Sequence, residues 1–543
     1  MALSSKREHR WRKVVAVTVG VGALTLATVA CGTSNAPTSD TGSGSAFVVN
    51  WGTSITSLDP AFTCPGDDNS FASNFYGTLV TLSTTTDSQG FQVFNPDPAK
   101  VQPGLATSWK VSNDGKTYTF TLRPGEKFAN GDPLDAAAVK YSIDRTLTMN
   151  ACGALSLQLG ITSPPLITGV SAPNATTVVV DLARAYPAIL YGLAQSRGSI
   201  YDPKVVDANG GVQKGQPNQY LTSHTASSSG PYVLSQYVPN NYALLTANPN
   251  YYGTKPIESK IRVNFVQSVP TLLLQAQNGQ ADVTLGLPAQ SVKTLSTNSC
   301  CTVTSDPSTS PVTVSMNYNG PTTNNVDFRT ALTYAIPYQQ ILEKVAYGYG
   351  DLYYGPVVPG MAGYPAGLEP PRTYDVAKAK QLIASSGLHS PSLTLTINST
   401  SSPSAQIATI LQAAWQAIGV KVNIDSRAPA DFSTVFNNGT YQAALNFENS
   451  TPIGGYELRK KMTCGSSFNN QHICIPGTQD LLTQLNDTAD PTVQQPLVNQ
   501  LVEAWRAQSP TIILYRARFT AVLKPGVKHF LYAPAFNFAG WGQ

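Results

Sequence analysis

The most informative part of the chain reads PGLATSW at residues 103–109 and SNDGKTYTFTLRPGEKFANGDPLDAAAVKYSIDRTL at residues 112–147. In the second segment Tyr118, Phe120 and Leu122 alternate with threonines, directly after an Asn-Asp-Gly turn signal. Alternation of this kind is typical of a β-strand with one buried face. The first half of the block therefore predicts a strand that follows a tight turn.

The second half of the same block predicts an amphipathic helix. Asp132-Pro133 places a helix-capping aspartate before a proline, which suits the first helical position. Val139, Ile143 and Leu147 then recur at four-residue spacing, so they share one face of the helix. We expect the helix to begin at Asp132-Pro133 and to bury that face.

Farther along, short apolar strands alternate with helical segments. The order strand, helix, strand occurs in two places after residue 260. Such β-α-β units favour parallel pairing of the two strands, with a right-handed crossover. The sequence therefore predicts an α/β fold. The predicted elements are strands Arg262–Val266, Asp282–Leu285, Leu393–Ile397 and Val420–Ile424, and helices Pro270–Asn278 and Ser404–Ile418.

Charge and length exclude some classes of protein. The 543 residues contain 35 Lys and Arg against 31 Asp and Glu. Five of these basic residues and one acidic residue lie in the first thirty, so the rest of the chain is formally neutral. A chain without excess positive charge lacks the basic surface that nucleic-acid binding requires. A chain of this length is expected to form two or three domains.

The N-terminus has the features of an export signal. The basic residues 4–13 precede Val14–Ala30, an uncharged run of seventeen residues, which is short for a membrane span. Small residues then lead to Cys31, which resembles a bacterial lipoprotein signal apart from Thr28, where leucine is usual. The resemblance implies that Cys31 is acylated and becomes the mature N-terminus. An ordinary secretory signal is the alternative.

The other cysteines are six in number, and an even number in an exported chain favours disulfides over metal ligation. Cys464 and Cys474 bracket a short polar segment, and we predict that they pair. Cys300 and Cys301 could form a vicinal bridge or separate to reach two others. The pairing of these four stays open: Cys64, Cys152, Cys300 and Cys301.

Motifs of catalysis or metal binding are absent from the sequence. It contains no H-E-x-x-H, C-x-x-C, G-x-x-x-x-G-K-[ST] or G-x-S-x-G, and its four histidines after residue 30 are scattered. We therefore expect no enzyme activity, no cofactor and no bound metal. A secreted hydrolase, with a catalytic site assembled from distant segments, is the alternative.

Several stretches, in collinear order over residues 47–525, resemble family 5 of the bacterial extracellular solute-binding proteins, the dipeptide- and oligopeptide-binding lipoproteins of ABC importers. The 103–147 block is the most specific of them. The others are Ser57-Leu58-Asp59-Pro60, FYGTLV at 75–80, GPYV at 230–233, NPNYY at 248–252, GQAD at 279–282, VDFRTALTYAI at 326–336 and YDVAKAKQLI at 374–383.

This resemblance implies a two-lobed, periplasmic-binding-protein-like (Venus-flytrap) α/β fold with an extra domain inserted in the first lobe. Two strands would cross between the lobes, so that ligand binding closes the cleft. The expected divisions are a signal peptide at 1–30, a tether at 31–46, the first lobe at 47–82, 196–313 and 511–543, the inserted domain at 83–195, and the second lobe at 314–510.

The function that the resemblance implies is capture of a peptide or peptide-like solute and its delivery to the permease and ATPase subunits of an ABC transporter. The protein would be a monomer on the outer face of the cytoplasmic membrane, attached by its lipid anchor only. The first alternative is a signalling or envelope-assembly lipoprotein outside transport. The second is a binder of a nickel chelate, oligosaccharide, glutathione or haem.

Peptide binders of the family use an acidic residue in a W-x-x-D-like segment to hold the ligand's amino terminus. The comparable stretch here, NFENSTP at 446–452, lacks both Trp and Asp, and we expect Glu448 to supply the carboxylate. An arginine can bind a ligand carboxylate in two-pronged geometry. The other candidate contacts are Asn446 and Asn449 for polar groups, Trp51 and Tyr318 as apolar walls, and Tyr456 and Arg459, the last for a ligand carboxylate.

Overall fold

The computed structural model describes residues 46–543 except 64–65, 96–99, 162–163, 366, 368–372, 449, 452, 467, 489 and 533–535. The predicted signal peptide and lipidation at Cys31 lie outside these residues, as do Cys64 and Asn449. Among the described helices, none combines the length and the hydropathy that a membrane span requires.

The elements are numbered in chain order. The first group is β1 Phe47–Trp51, α1 Asp67–Ala72, β2 Val80–Leu82, β3 Thr84–Thr86, β4 Gln92–Phe94, β5 Val101–Pro103, β6 Ala106–Val111, β7 Thr117–Leu122, α2 Ala136–Met149, α3 Cys152–Leu157, β8 Ile167–Asn174, β9 Thr177–Leu182 and α4 Ile189–Ala194. The second is α5 Pro203–Ala208, β10 Tyr232–Val238, β11 Tyr242–Ala247, β12 Lys260–Phe265, α6 Val269–Gln277, β13 Val283–Leu285, α7 Ala289–Ser296 and β14 Thr302–Met316.

The third group is α8 Val326–Tyr334, α9 Tyr338–Lys344, β15 Gly350–Asp351, α10 Val376–Ser385, β16 Ser392–Asn398, α11 Ser402–Gln416, β17 Lys421–Arg427, α12 Pro429–Asn437, β18 Ala443–Phe447, α13 Gly454–Met462, α14 Thr478–Asp487, α15 Pro491–Gln508, β19 Thr511–Leu523 and β20 Leu531–Tyr532. Short 3-10 turns lie at Ser196–Gly198, Tyr220–Thr222 and Phe538–Gly540.

Eleven strands of the described residues form one continuous sheet, in the order β10-β11-β12-β1-β13-β19-β14-β18-β16-β17, with β15 also on β19. The sheet has a parallel group at either side, β12-β1-β13 and β17-β16-β18. Both predicted strand–helix–strand units lie in these parallel groups, β12-α6-β13 and β16-α11-β17. The sequence prediction of an α/β fold with parallel pairing is therefore confirmed.

The two halves of this sheet are joined by its longest strands, β14 and β19. They pair antiparallel from Thr302 opposite Leu523 to Ser315 opposite Thr511. The register shifts between Pro307 and Ser310, and this irregularity lies near the middle of the pair. A bulge bends a sheet locally, and we propose that this register shift marks the hinge expected between the lobes.

Separate hydrophobic cores fill the parts of the molecule. The first lobe packs around β1 and β12. A four-stranded sheet of β6, β7, β9 and β8, backed by α2, surrounds a second core. The second lobe holds one core around β16 and α11 and another around α14 and α15. These cores support the proposed division into two lobes and an inserted domain.

Helix α2 is present as predicted, but its predicted start is wrong. Pro133 forms a bridge with Lys127, and Leu134 donates its backbone N–H to Glu126 at 2.9 Å, so the chain stays extended past Asp132. Asp135 is the N-cap instead, and its Oδ1 accepts from two backbone N–H groups at 3.0 and 3.1 Å. Asp132 forms an ion pair with Lys204.

The structure joins Cys464 and Cys474 in a disulfide, with their Cα atoms 5.0 Å apart. Cys300 and Cys301 are free thiols, so neither the vicinal bridge nor a bond from either of them to Cys152 forms. Burial raises the pKa of the Cys301 thiol to about 12, and its hydrogen bond with Cys300 adds to the shift. An unreactive thiol of this kind fits a structural position.

Candidate ligand-binding cleft

A cavity of about 870 Å³ lies where the hinge strands β14 and β19 cross between the lobes. Its walls come from all three parts of the chain. From the first lobe and the hinge strands, the lining residues include Trp51, Asn69, Gly286, Asp306–Ser310 and Arg516–Thr520. The proposed inserted domain and its border contribute Asp87, Ser156, Tyr191 and Arg197. The second lobe contributes Pro359, Gly360, Ser450 and Thr451.

The carboxyl ends of the parallel strands β1 and β13 open onto this cavity, at Trp51-Gly52 and Leu285-Gly286. Open α/β sheets place ligands beyond these strand ends. A side chain at Gly52 would put its Cβ 3.1 Å from the carbonyl oxygen of Gly286, which itself has a φ of +79°. Gly52 and Gly286 therefore allow the ends of β1 and β13 to approach closely, and no side chain at these two positions fills the cavity.

One wall of the cavity is aromatic. The rings of Trp51 and Phe536 meet edge to face with centroids 4.9 Å apart, and those of Phe519 and Tyr532 stack at 3.9 Å. Phe536 and Phe519 also touch, at 5.6 Å. These contacts fix the rings in place, so the wall offers a rigid apolar surface to a ligand.

Two carboxyl groups meet at the hinge side of the cavity. Asp87, in the turn between β3 and β4, accepts the backbone N–H groups of Gln89 and Phe91 through Oδ1, both at 2.8 Å. Asp306 of β14 is 5% exposed. With both groups ionised, each Oδ2 is buried and receives no donor from the described part of the chain. When Asp306 is protonated, it shares that proton with Asp87 in a hydrogen bond. Burial raises the pKa of Asp306 to about 6; the charge and hydrogen bond of Asp87 add to this, and Arg518 opposes it.

Arg197 lies in the wall formed by the 3-10 turn Ser196–Gly198 and is 7% exposed. Its Nη1 donates to Ser196 Oγ at 3.3 Å. Its Nε and Nη2 are buried and donate to no acceptor among the described residues. Burial lowers the pKa of Arg197 to about 10, and the groups that oppose this shift are tyrosine side chains, which are uncharged at neutral pH. The guanidinium is therefore charged at neutral pH, and no carboxylate of the described residues forms an ion pair with it.

Arg516 and Arg518 also line the cavity, but protein acceptors already bind them. Arg516 donates to Asp351 at 2.8 Å and to the carbonyl oxygen of Pro359 at 2.9 Å. Arg518 donates to Asp351 at 3.1 Å and to Ser305 Oγ and O at 2.9 and 2.7 Å. The single carboxylate of Asp351 thus pairs with both arginines from the second-lobe side and offsets one of their two positive charges.

Of the binding residues predicted from the sequence, Trp51 lines the cavity. Glu448 does not, because it is used inside the second lobe: Lys461 Nζ lies 2.9 Å from its Oε2, and Thr313 Oγ1 donates to its Oε1 at 3.0 Å. Burial raises the pKa of Glu448, but Lys461 and Lys460 outweigh burial, so the pKa lies below its ordinary value. Glu448 is already neutralised and is no free anchor for a ligand cation.

Asn446 and Tyr318 are also away from the cavity wall. Asn446 is half-buried in β18, opposite Thr313 of β14. Tyr318 donates its hydroxyl to Gln508 Oε1 at 2.9 Å, and its ring lies 4.3 Å from the guanidinium carbon of Arg329. Both residues serve the packing of the second lobe.

Tyr456 and Arg459, both on α13, contact the proposed inserted domain. Arg459 Nη2 donates to the Tyr186 hydroxyl, and its guanidinium carbon lies 5.1 Å from the centre of the Tyr186 ring. Tyr456 packs into the core of that domain. These two side chains therefore connect the second lobe to the proposed inserted domain, and neither lines the cavity.

The charged residues of the cavity were missed in the sequence, although a weak signal existed. Arg197 is the only charged residue between Arg184 and Asp202, and Asp306 is the only one between Lys293 and Asp327. A single charged residue in a long uncharged segment is unfavourable in a core unless it forms an ion pair or faces a polar site. Such a residue is therefore a candidate for a binding site.

Comparison with known proteins places the chain among relatives of this architecture. The family model described as bacterial extracellular solute-binding proteins, family 5 Middle, matches residues 100–453. The probable D,D-dipeptide-binding periplasmic protein DdpA of Escherichia coli K12 is 27% identical over 492 residues, which cover 88% of this chain and 89% of that protein. The nickel-binding periplasmic protein of the same organism is 25% identical over 464 residues, covering 80% and 84%.

Among solved structures, the ABC transporter-associated periplasmic binding protein DppA of Helicobacter pylori, in complex with the peptide STSA, aligns with a TM-score of 0.78. The two sequences are 20% identical, and the alignment covers 92% of this chain and 98% of the other. This likeness shows the fold, so the two-lobed architecture expected from the sequence is confirmed.

Proposed function

The chain belongs to the bacterial extracellular solute-binding proteins of family 5, and we propose that it captures a peptide or peptide-like solute in the interlobe cavity and delivers it to an ABC transporter. Members of this family bind solutes outside the cytoplasm for transport. The names of DdpA and of the Helicobacter protein, which was solved with a peptide, support a peptide as the solute.

The observation that carries this proposal is the cavity itself. Its volume of about 870 Å³ lies within the ~300–1,000 Å³ that small-ligand sites occupy. Aromatic rings supply apolar contact area, while Arg197, Asp87 and Asp306 supply charge. Because both lobes and the hinge contribute walls, closure of the lobes would enclose a solute on all sides.

We propose further that Cys31 anchors the protein by a lipid to the outer face of the membrane, where it would act as a monomer. The support is the sequence of the first 31 residues. Replacement of Cys31 by serine, Cys31→Ser, would then release the full chain into the soluble fraction and abolish labelling by radioactive palmitate. Membrane retention of the variant would contradict the anchor.

Native mass spectrometry of the full chain, purified in mild detergent and mixed with a pool of synthetic di- to pentapeptides, tests the proposed function. We expect adducts of a few hundred daltons and a raised melting temperature, since a ligand at about a hundred times its Kd adds roughly 2.7 kcal/mol to the free energy of unfolding.

A variant that fills the cavity sharpens this test. Ser156 lines the cavity from α3, whereas Thr409 is exposed on α11 in the second lobe. Ser156→Trp should lose the adducts, while Thr409→Trp should keep them. A wild-type chain that stays empty and unshifted would contradict a peptide solute, and equal binding by both variants would move the site away from this cavity.

A further inference from the structure

The cavity contains charged groups of both signs whose hydrogen-bonding atoms are unused. We propose that Arg197 forms a subsite for a ligand carboxylate and that Asp87 with Asp306 forms a subsite for a ligand ammonium group, so that the solute is a zwitterion with both ends free. This inference rests on the proposed function and names the chemistry of its ligand.

The case for Arg197 is that its charge is buried without compensation. A buried charge is unfavourable unless it is paired and hydrogen-bonded. In the described part of the chain, Arg197 forms no ion pair with a carboxylate, and two of its nitrogens lack an acceptor. A ligand carboxylate could take both donors at once, in the two-pronged geometry that arginine favours.

Two other fully buried arginines use more of their donors: Arg145 leaves only its Nε without an acceptor, and Arg329 leaves none. Arg145 donates to both oxygens of Asp59 at 2.9 and 2.6 Å. Arg329 donates to the backbone carbonyls of Thr323 and Gln508 at 2.8 and 3.0 Å. Their partners belong to the protein, whereas the side chain of Arg197 lines the cavity. A ligand group in the cavity can therefore reach its two donors.

The case for the aspartates is that two carboxyl groups meet without a cation between them. The charge of Arg518 acts on Asp306, yet its three nitrogens donate to Ser305 and Asp351 instead. A ligand ammonium group has three donors and no acceptor, which complements the two unused Oδ2 atoms. Its charge would also relieve the repulsion between Asp87 and Asp306.

The ammonium subsite therefore lies on the hinge side, and it differs from the position expected from the sequence. Glu448 is held by Lys461 at 2.9 Å within the second lobe. Asp306, by contrast, is a cavity-lining carboxylate with an unused oxygen. Asp306 therefore offers a negative charge for the ligand's amino terminus, in place of the acidic residue of the W-x-x-D segment.

Three matched peptide pools test the inference on the full chain: peptides with both ends free, the same peptides amidated at the carboxyl terminus, and the same peptides acetylated at the amino terminus. Binding is measured by native mass spectrometry and by titration calorimetry of the retained members. The variants are Arg197→Gln, Asp306→Asn and, as a control, Arg427→Gln, which changes a surface arginine paired with Asp425 in the second lobe.

For the wild type and Arg427→Gln, we expect amidation and acetylation each to weaken binding by roughly tenfold to a hundredfold, as loss of a charged hydrogen bond does. In Arg197→Gln the amidated and free pools should bind alike, and in Asp306→Asn the acetylated and free pools should bind alike. A variant that is merely unfolded would bind none of the three pools, so it would not lose the preference for one free terminus alone.

Each result decides between the claims. If amidation weakens Arg197→Gln as much as the wild type, the carboxylate subsite is wrong; the same comparison with acetylation decides on Asp306. If Arg197→Gln does not fold, Arg197→Met replaces it. Undiminished discrimination against the amidated pool in that neutral variant would overturn the assignment. If all three pools bind equally well, the proposed function stands and this inference is wrong. If none of the pools binds, the proposed function and this inference are both wrong.

Discussion

Arg145 donates two hydrogen bonds to the two carboxylate oxygens of Asp59, at 2.9 and 2.6 Å, and both side chains are buried. Asp59 follows β1 in the first lobe, and Arg145 lies on α2. The guanidinium carbon of Arg145 also lies 4.8 Å from the centre of the Tyr201 ring. Two residues far apart in the sequence therefore tie the first lobe to the helix that backs the four-stranded sheet.

This pair should matter greatly for stability. Asp59→Asn leaves the buried charge of Arg145 without a carboxylate, and breaking a buried pair in this way typically costs about 3–5 kcal/mol of the free energy of unfolding. Denaturant unfolding measures the loss. Asp425→Asn, which breaks the more exposed pair with Arg427, should cost no more than ~1 kcal/mol. Similar losses in the two variants would show that the buried pair is not special.

Arg197 should behave in the opposite way. Arg197→Met removes a buried charge that has no carboxylate partner, so we expect the free energy of unfolding of the ligand-free chain to stay the same or to rise by about 1–3 kcal/mol. Unfolding in urea measures it, and peptide binding should be lost in the same variant. A fall as large as that of Asp59→Asn would reveal a structural partner for Arg197.

Binding of a ligand with a free amino group should depend on pH. Asp306 has a pKa raised to about 6, and the charged or titratable groups that act on it are Asp87, Arg518 and Tyr532. Its ionised form pairs with an ammonium group, so a proton must leave Asp306 on binding below pH 6. Affinity should therefore fall about tenfold between pH 7 and pH 5.

The sign of the stability change follows from the same shift. Because the pKa of Asp306 is higher in the folded chain than its ordinary 3.8, the folded state binds the proton more tightly. This contribution to stability is present below pH 3.8 and is lost as pH rises through about 6. Asp306→Asn should flatten the pH dependence of both stability and affinity over this window. Calorimetry at pH 5, 6 and 7 checks it, and an unchanged slope would exclude Asp306 as its source.

The contact between Arg459 and Tyr186 should slow ligand release, because it joins the second lobe to the proposed inserted domain. Arg459→Met removes the hydrogen bond to the Tyr186 hydroxyl and should raise the dissociation rate several-fold while changing the association rate little. Stopped-flow fluorescence measures both rates. Arg427→Met, on the surface of the second lobe, is the matched control, and equal dissociation rates in the two variants would refute a role for the contact.

Much of the fold could be predicted from local pattern. The alternation at Tyr118, Phe120 and Leu122 lies in β7, and the periodic residues of α2 lie on its buried face. The start of α2 was predicted wrongly, because a bridge between Lys127 and Pro133 keeps the chain extended past the first capping aspartate. Competition between a helix start and a nearby turn is a tertiary effect that local sequence does not record.

The site was much less predictable than the fold. Trp51 was found because it ends a strand that the sequence shows clearly. Only its position in the chain points to Glu448, and Lys461 on α13 neutralises its charge. Arg197 and Asp306 lie in separate segments, which only the folded hinge brings to one cavity. Which charge stays unpaired depends on three-dimensional packing, so sequence spacing could not reveal it.

The most direct test of the account is a crystal structure of the full chain with a retained peptide from the free-ended pool. We expect the peptide carboxylate within about 3 Å of Arg197 Nε or Nη2 and its amino group at the same distance from Asp306 Oδ2. A peptide in the cavity whose carboxylate and amino group both contact other residues, or a peptide bound outside the cavity, would contradict it.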